Sequence, residues 1–439
     1  KRMKGMAKLL LYKGEHVERQ NMIWNMLGSF VYAFASMVLS FLVMRLAGEE
    51  QGGIFSFGYS TLGQQLFIVA YFGIRPFQIT DGTGVYSFGD YLSHRRLTCL
   101  MALLGGGIYL SAFWAAGRYT AQKALILFLL VIYKVIDGYA DVYESEFQRQ
   151  GSLYLTGKSN CFRTVLSVGI FTAFLAVSGS LLSACLAAVA AQILGLILFD
   201  FSVVLELPRM DRVKYSGKMQ GIFSETWLLF LSVFLDFYVF SAAKYAIDSH
   251  LNDSASGYFN LIFMPTSVIY LVANFVIRPF LTRLTLLWNG RRFQDFLRQL
   301  LRIGGVILGL TAAAVGLTVL LGEWVLGIME QILGSGYEGS LRVYGPAFTI
   351  IVLGGGFYAM ANLMYYALVI MRRQKAIFFV YLTGAAAAFL LSGSLVERWA
   401  MMGAAVCYLI LMIFLTAGFG LCTFCFYGHE KGEQGGNGS

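Results

Sequence analysis

The chain is short of charge. Only 13% of its 439 residues are Asp, Glu, Lys or Arg, while 58% are hydrophobic. Soluble domains carry about 25% charged residues. With a mean hydropathy of +0.67, no soluble fold could hide this much apolar surface, so the solvent is lipid. Prolines number five and glycines 49, which suits helices packed closely in a bilayer. The four histidines, His16, His94, His250 and His429, are far apart in sequence and in different loops or tails, and they give no ground for a metal cluster. The six cysteines all fall in apolar segments. Cys422-x-x-Cys425 has no nearby histidine and reads as packing thiols. Neither a DxD pair nor a cofactor motif is present. Gly151–Ser159, GSLYLTGKS, misses the phosphate-loop spacing by one residue and lies between two apolar spans. No cofactor is expected, and the net charge of +9 reflects basic loops rather than nucleic-acid binding.

What the sequence has is a repeat. Residues 21–77 overlay residues 224–280 at an offset of 203 without a gap. The match is best between Tyr71-Phe72-Gly73-Ile74-Arg75-Pro76-Phe77 and Asn274-Phe275-Val276-Ile277-Arg278-Pro279-Phe280. It also pairs Trp24 with Trp227, Ser29 with Ser232 and Phe34 with Phe237. A membrane chain of two like halves is the usual plan of a transporter, and an enzyme is not expected.

Apolar runs long enough to cross a bilayer predict about twelve transmembrane helices, near 22–46, 53–74, 97–117, 121–143, 161–179, 181–205, 222–247, 257–278, 303–322, 341–371, 376–396 and 401–427. With the N-terminus inside, 25 of the 33 Lys and Arg residues fall in cytoplasmic segments. Four (Arg118, Lys123, Arg342 and Arg398) fall outside. Both termini are therefore expected in the cytoplasm. The expected order is an amphipathic N-terminus (1–21), an N-lobe of six spans (22–207), a basic linker (208–221), a C-lobe of six spans (222–427) and a cytoplasmic tail (428–439). Residues 75–96 and 289–302 read as amphipathic surface segments. In the second, apolar residues recur at helical spacing with Arg between them, as in a helix lying against anionic lipid.

Ionisable residues inside spans are functional candidates by default. Lys134, Asp137 and Asp141 share one face of span four. They either neutralise one another or line a wet cavity. Asp236, in mid-span seven, has no basic neighbour one turn away; it either makes a cross-helix bond or carries a coupling ion. Lys244 and Arg45 lie near the outer ends of spans seven and one, to snorkel or to face a cavity. Arg75 and Arg278 are related by the repeat, and each precedes a proline that should end or kink its helix. Gln64, Gln65, Asn25 and Asn362 are polar residues that could bond sugar hydroxyls or neighbouring helices. The triple glycines Gly105–Gly107 and Gly354–Gly356 read as close packing or hinges.

Several stretches resemble one family. Lys244-Tyr245-Ala246-Ile247-Asp248, Phe263-Met264-Pro265 and Arg278-Pro279 are similar to the span-seven and span-eight signature of Wzx-type polysaccharide flippases, of the multidrug/oligosaccharidyl-lipid/polysaccharide (MOP) exporter superfamily. Asp141-Val142-Tyr143-Glu144 with Glu146-Phe147-Gln148, and Arg75-Pro76-Phe77-Gln78 with Thr80-Asp81, resemble that family's span-four exit and its segment after span two. Ala243 departs from the pattern, where a proline is expected. The resemblance implies an all-α polytopic fold of two six-helix parallel pseudo-repeats. It also implies translocation of an undecaprenyl-pyrophosphate-linked oligosaccharide across the bacterial cytoplasmic membrane by alternating access. Lys134, Lys244, Arg45, Arg75 and Arg278 would then meet the anionic substrate, and Asp236, Asp137 or Asp141 would carry H⁺ or Na⁺. Implied partners are membrane lipids, the lipid-linked oligosaccharide and other polysaccharide-assembly proteins. The alternatives are a drug/cation antiporter of the same superfamily, which would favour an anionic cavity, and a flippase for the lipid-linked peptidoglycan precursor.

Overall fold

The computed structural model describes residues 9–12, 14–81, 85–207 and 216–436, without the side chains of 432–436. Parts of the expected N-terminus, of the surface segment 75–96, of the basic linker and of the tail (residues 1–8, 13, 82–84, 208–215 and 437–439) lie outside the described residues. All regular structure among the described residues is helical. The elements are α1 (Val17–Phe57), α2 (Gly63–Tyr71), α3 (Arg75–Thr80), α4 (Phe88–Ala115), α5 (Ala121–Arg149), α6 (Leu153–Ser178), α7 (Leu181–Gly195), α8 (Ser202–Val204), α9 (Met219–His250), α10 (Asp253–Phe263), α11 (Pro265–Asn289), α12 (Phe293–Leu333), α13 (Gly345–Ile370) and α14 (Gln374–Gly436). π-helical turns at Gly58–Leu62 and Leu196–Phe201 join α1 to α2 and α7 to α8.

Nine continuous helical stretches among the described residues are long and apolar enough to cross a membrane. Large apolar side chains on them face outward, such as Val177 at 90% and Leu320 at 80% exposure. Such surface needs lipid, and the chain is a multi-pass membrane protein. Gly48 (φ 87°) breaks α1 and Ala400 (φ 46°) breaks α14, so each holds two rods. In addition, α5 spans 29 residues but carries more charge than an apolar span.

The chain divides into two compact units, Lys1–Phe234 and Leu235–Ser439. The boundary falls within α9, whose first half packs with the first unit. There Tyr86 donates to Glu225 at 2.8 Å, and Phe72 stacks on Phe230 at 4.0 Å. In this unit α5 is central, packed against α2, α4, α6 and α7, while α1 runs along α6. Helix starts follow their caps. Ser87 and Asp90 form a capping box at α4, and Thr120, Ser180 and Asn252 accept the first free amides of α5, α7 and α10. In the second unit α13 packs along α11, α12 and α14. Its triple glycine lets three neighbours approach closely: a Cβ at Gly354, Gly355 or Gly356 would meet Tyr408, Ile269 or Thr311.

Two sequence expectations are corrected here. Residues 75–96 are not one surface helix. From Phe88 onward they form the first turns of α4, and Arg95 is completely buried. Its charge is met by Asp141 at 2.9 Å and by the Ala70 carbonyl at 3.0 Å, near the end of α2. Nor do the two Arg-Pro pairs act alike. In the first unit the helix ends at Phe72 and Gly73, both left-handed (φ 56° and 66°), and Pro76 opens α3. In the second, Pro279 lies inside a continuous α11. The repeat places Val276 opposite Gly73, and a β-branched residue resists the left-handed region, so the helix continues.

Candidate functional site

In the first unit the ionisable residues of α5 form one buried network. Lys134 is 3% exposed. Its ammonium sits 3.8 Å from the centre of the Tyr59 ring and donates to the Tyr32 hydroxyl at 3.1 Å. That hydroxyl donates to Asp137 at 3.4 Å, so Tyr32 bridges the lysine and the aspartate. Asp137 also accepts from Gln192 at 3.1 Å and lies 3.5 Å from the Arg163 guanidinium. Arg163 reaches Glu144 at 2.9 Å and Asp200 at 2.8 Å. Asp141 pairs with Arg95 and, at 2.7 Å, with Arg75, which also approaches Glu144. Four cations (Arg75, Arg95, Lys134 and Arg163) thus face four carboxylates (Asp137, Asp141, Glu144 and Asp200). The set is neutral, as burial in lipid demands.

Both π turns serve this network. A π turn adds one residue and re-aims the side chains that follow it. The first carries Tyr59, on which Lys134 rests. The second carries Asp200, fully buried against Arg163. Sequence reading missed Arg95, Arg163, Glu144 and Asp200 as network members. The two arginines had been counted with the basic loops. The available signal was Asp200, a lone carboxylate in the apolar run 196–204.

The near phosphate loop is a packing element. Gly157 lies against the α1 backbone, so a Cβ there would sit 2.1 Å from the Trp24 carbonyl oxygen. Ser159 donates to Asp200 at 2.5 Å, and Lys158 donates to the Leu10 carbonyl at 2.8 Å.

The second unit is different. Asp236, half-buried in mid-α9, accepts from the Tyr358 hydroxyl at 3.1 and 3.3 Å. No cation pairs with it among the described residues. Tyr358 stacks on Tyr270 at 5.6 Å and contacts Phe240 at 5.0 Å, so the carboxylate sits in an aromatic nest. Lys244, also half-buried, donates to Asn260 at 3.1 Å and lies 4.5 Å above the Phe263 ring. It has no carboxylate partner among the described residues. Asp236 and Lys244 are two helical steps of four apart, about 12 Å along α9.

The helix facing Lys244 is distorted at the place where the repeat predicts a counterpart of the first π turn. Shifted by 203, Gly58–Leu62 falls on Leu261–Pro265, where Pro265 separates α10 from α11. Each unit therefore sets a lysine over an aromatic ring at a break in its second span.

The remaining sequence candidates are dispersed. Arg45 is exposed shortly before the Gly48 break in α1, and Arg278 is exposed inside α11, beside Pro279. Gln65 donates to the Phe234 carbonyl at 3.0 Å. Gln64 and Asn25 are half-buried, and the Asn362 amide nitrogen is sealed without a hydrogen-bond partner.

No family model and no curated protein matches this chain. Solved structures do. An inward-facing multidrug-resistance transporter of the MATE family of the MOP superfamily superposes with a TM-score of 0.71 at 12% identity, covering 91% of this chain and 95% of that one. The lipid II flippase MurJ, in an inward closed conformation, gives 0.64 at 12% identity over 90% and 86%. A MOP superfamily transporter from Pyrococcus furiosus, described as having a binding pocket of reverse polarity, gives 0.53 at 14% identity over 97% and 98%. The chain is an all-α polytopic membrane protein with the fold of MATE and other MOP transporters.

Proposed function

We propose that this protein is a carrier of the MOP type that moves an undecaprenyl-pyrophosphate-linked oligosaccharide across a bacterial cytoplasmic membrane, with its two lobes alternating access and both termini inside. The observation that carries the reading is Lys244. It is a half-buried ammonium toward the outer end of its span, with an amide and a ring for company and no counter-charge among the described residues. Such a group is costly unless a mobile anion visits it, and a pyrophosphate is such an anion. Arg45 and Arg278, both exposed, would meet the anion as it enters or leaves. The aromatic nest beside Asp236 would stack on sugar rings. Lys134 and Arg75 act here through the architecture of the first unit. Asp137 and Asp141 are neutralised in the same network, which leaves Asp236 as the carrier of a coupling H⁺ or Na⁺. The fold shared with a lipid II flippase supports a lipid-linked cargo.

The test is flipping of a fluorescent lipid-linked oligosaccharide in proteoliposomes. Lys244→Ala is expected to slow it at least tenfold, and Lys244→Arg to retain part of it. Undiminished flipping by Lys244→Ala would refute the assignment. One observation favours a second reading: Asp236, without a cationic partner, is what a cation antiporter needs. In that case the same vesicles would exchange a cationic dye for protons, and Asp236→Asn would stop the exchange while Lys244→Ala left it intact.

A further inference from the structure

Where α11 turns into α12, the second unit has a groove of about 500 Å³ lined by Arg283, Leu286, Arg292, Asp295, Arg298 and Arg302. The turn between the two helices is tightly held. Arg291 adopts a left-handed conformation (φ 54°). Trp288 packs 4.9 Å from Phe293 and 5.1 Å from Phe296, both of them buried. The end of α11 is thereby fixed against the start of α12, and arginines from both helices converge on one space.

Asp295 organises two of them. It takes Arg292 at 2.7 and 2.9 Å and Arg298 at 3.4 Å. Arg283 and Arg302, one from each helix, have no hydrogen-bond or ion-pair partner among the described residues. Four arginines and one aspartate leave the groove with three uncompensated positive charges. Guanidinium forks match phosphate oxygens in geometry as well as charge.

The groove is also greasy at its edge. Leu286 is 68% exposed and Leu301 55%, and directly beyond Arg302 the helix enters its apolar run. A free anion has no use for this edge, whereas an acyl chain does. We infer that this groove binds the phosphate headgroup of an anionic phospholipid, with its acyl chains lying along Leu286 and Leu301. The inference is independent of what the protein transports.

The test uses the full chain, purified and delipidated in detergent. The probes are dioctanoyl phosphatidylglycerol, dioctanoyl phosphatidylcholine and inorganic phosphate, read by shifts in thermal unfolding and by lipid retention in native mass spectrometry. Phosphatidylglycerol is expected to raise the unfolding midpoint and to remain bound, and phosphatidylcholine to do neither. Arg283→Gln/Arg302→Gln should weaken the phosphatidylglycerol response about tenfold or more, the scale of losing charge-assisted contacts. It should leave the lipid-free midpoint unchanged, because neither side chain supports the fold. A control of equal charge, Arg118→Gln/Arg398→Gln, should bind as the parent does. Asp295→Asn should tighten binding by releasing two guanidinium groups, a change opposite in sign to any loss through misfolding. An equal response to phosphatidylcholine, or one unchanged in Arg283→Gln/Arg302→Gln, would overturn the site. A response to inorganic phosphate matching that to phosphatidylglycerol would overturn the lipid assignment in favour of a free-phosphate site.

Discussion

The guanidinium of Arg163 lies 2.8 Å from the carboxylate of Asp200, and both side chains are sealed from solvent. A π turn aims Asp200 at this partner from the far end of α7. Glu144 and Asp137 close on the same arginine, so one cation serves three carboxylates.

That geometry makes the two ends of the pair unequal. Arg163→Met strands three carboxylates in the core of the unit. Breaking a buried pair from one side costs about 3–5 kcal/mol. Asp200→Asn leaves Arg163 with Glu144 and Asp137, and the new amide can still meet Ser159. In detergent, Arg163→Met should therefore unfold at a far lower temperature than Asp200→Asn. Equal losses would show that the network is not organised around Arg163.

Gly157 tests the packing role of the near phosphate loop. With a Cβ placed 2.1 Å from the Trp24 carbonyl oxygen, and one at Gly28 placed 2.5 Å from the Gly157 oxygen, α1 and α6 touch backbone to backbone. Overpacking of this kind costs about 1–3 kcal/mol. Gly157→Val should lower the unfolding midpoint, and ATP or GTP should leave the parent's midpoint unmoved. A nucleotide-induced rise would reopen the phosphate-loop reading.

Asp81 gives a pH dependence whose sign can be worked out. Burial alone would raise its pKa. Hydrogen bonds from the Tyr86 amide, the Tyr91 hydroxyl and the Val85 amide outweigh that and hold the carboxyl below its ordinary value. A carboxylate depressed in the fold contributes stability above its unfolded pKa, about 3.9, and loses it as pH falls through the lower folded value. Parent and Asp81→Asn should therefore differ in unfolding midpoint at pH 6, and the gap should close as the pH falls below about 3.9 and through the lower folded value. A gap that persists in acid would assign the effect to shape rather than charge.

How far the sequence carried these conclusions differs from residue to residue. Hydropathy marked the chain as an all-helical membrane protein, because lipid allows few ways to satisfy a backbone. The 203-residue offset located the shared break: Gly48 and Leu251 both mark the turn between the first two rods of their units. It could not reveal that a π turn in one half does the work of Pro265 in the other. A π turn depends on a surplus hydrogen-bond register, not on a residue type. Arg95 and Arg163 were misjudged because a charge count treats an arginine near a span end as a loop residue. Only the partners, 46 and 37 residues away in sequence, show it to be buried. Asp236 and Lys244 were legible because a lone charge in an apolar run stands out in any reading.

The two intramembrane lysines separate architecture from transport. Lys134 is sealed, stacked on Tyr59 and linked through Tyr32 to Asp137. Removing it deletes a cation–π contact worth up to about 2 kcal/mol when desolvated, and it also leaves the four carboxylates of the network facing three cations. Lys134→Met should therefore lower the unfolding midpoint whether or not substrate is present. Lys244 is half-buried and meets only neutral groups among the described residues, so its charge is a burden to the fold by itself. Lys244→Met should leave the midpoint unchanged or raise it, while abolishing the stabilisation that a lipid-linked pyrophosphate gives the parent. Thermal unfolding of both variants, with and without undecaprenyl pyrophosphate, gives the comparison directly. If Lys244→Met unfolds early and Lys134→Met does not, the roles are reversed and the anion site belongs to the first unit.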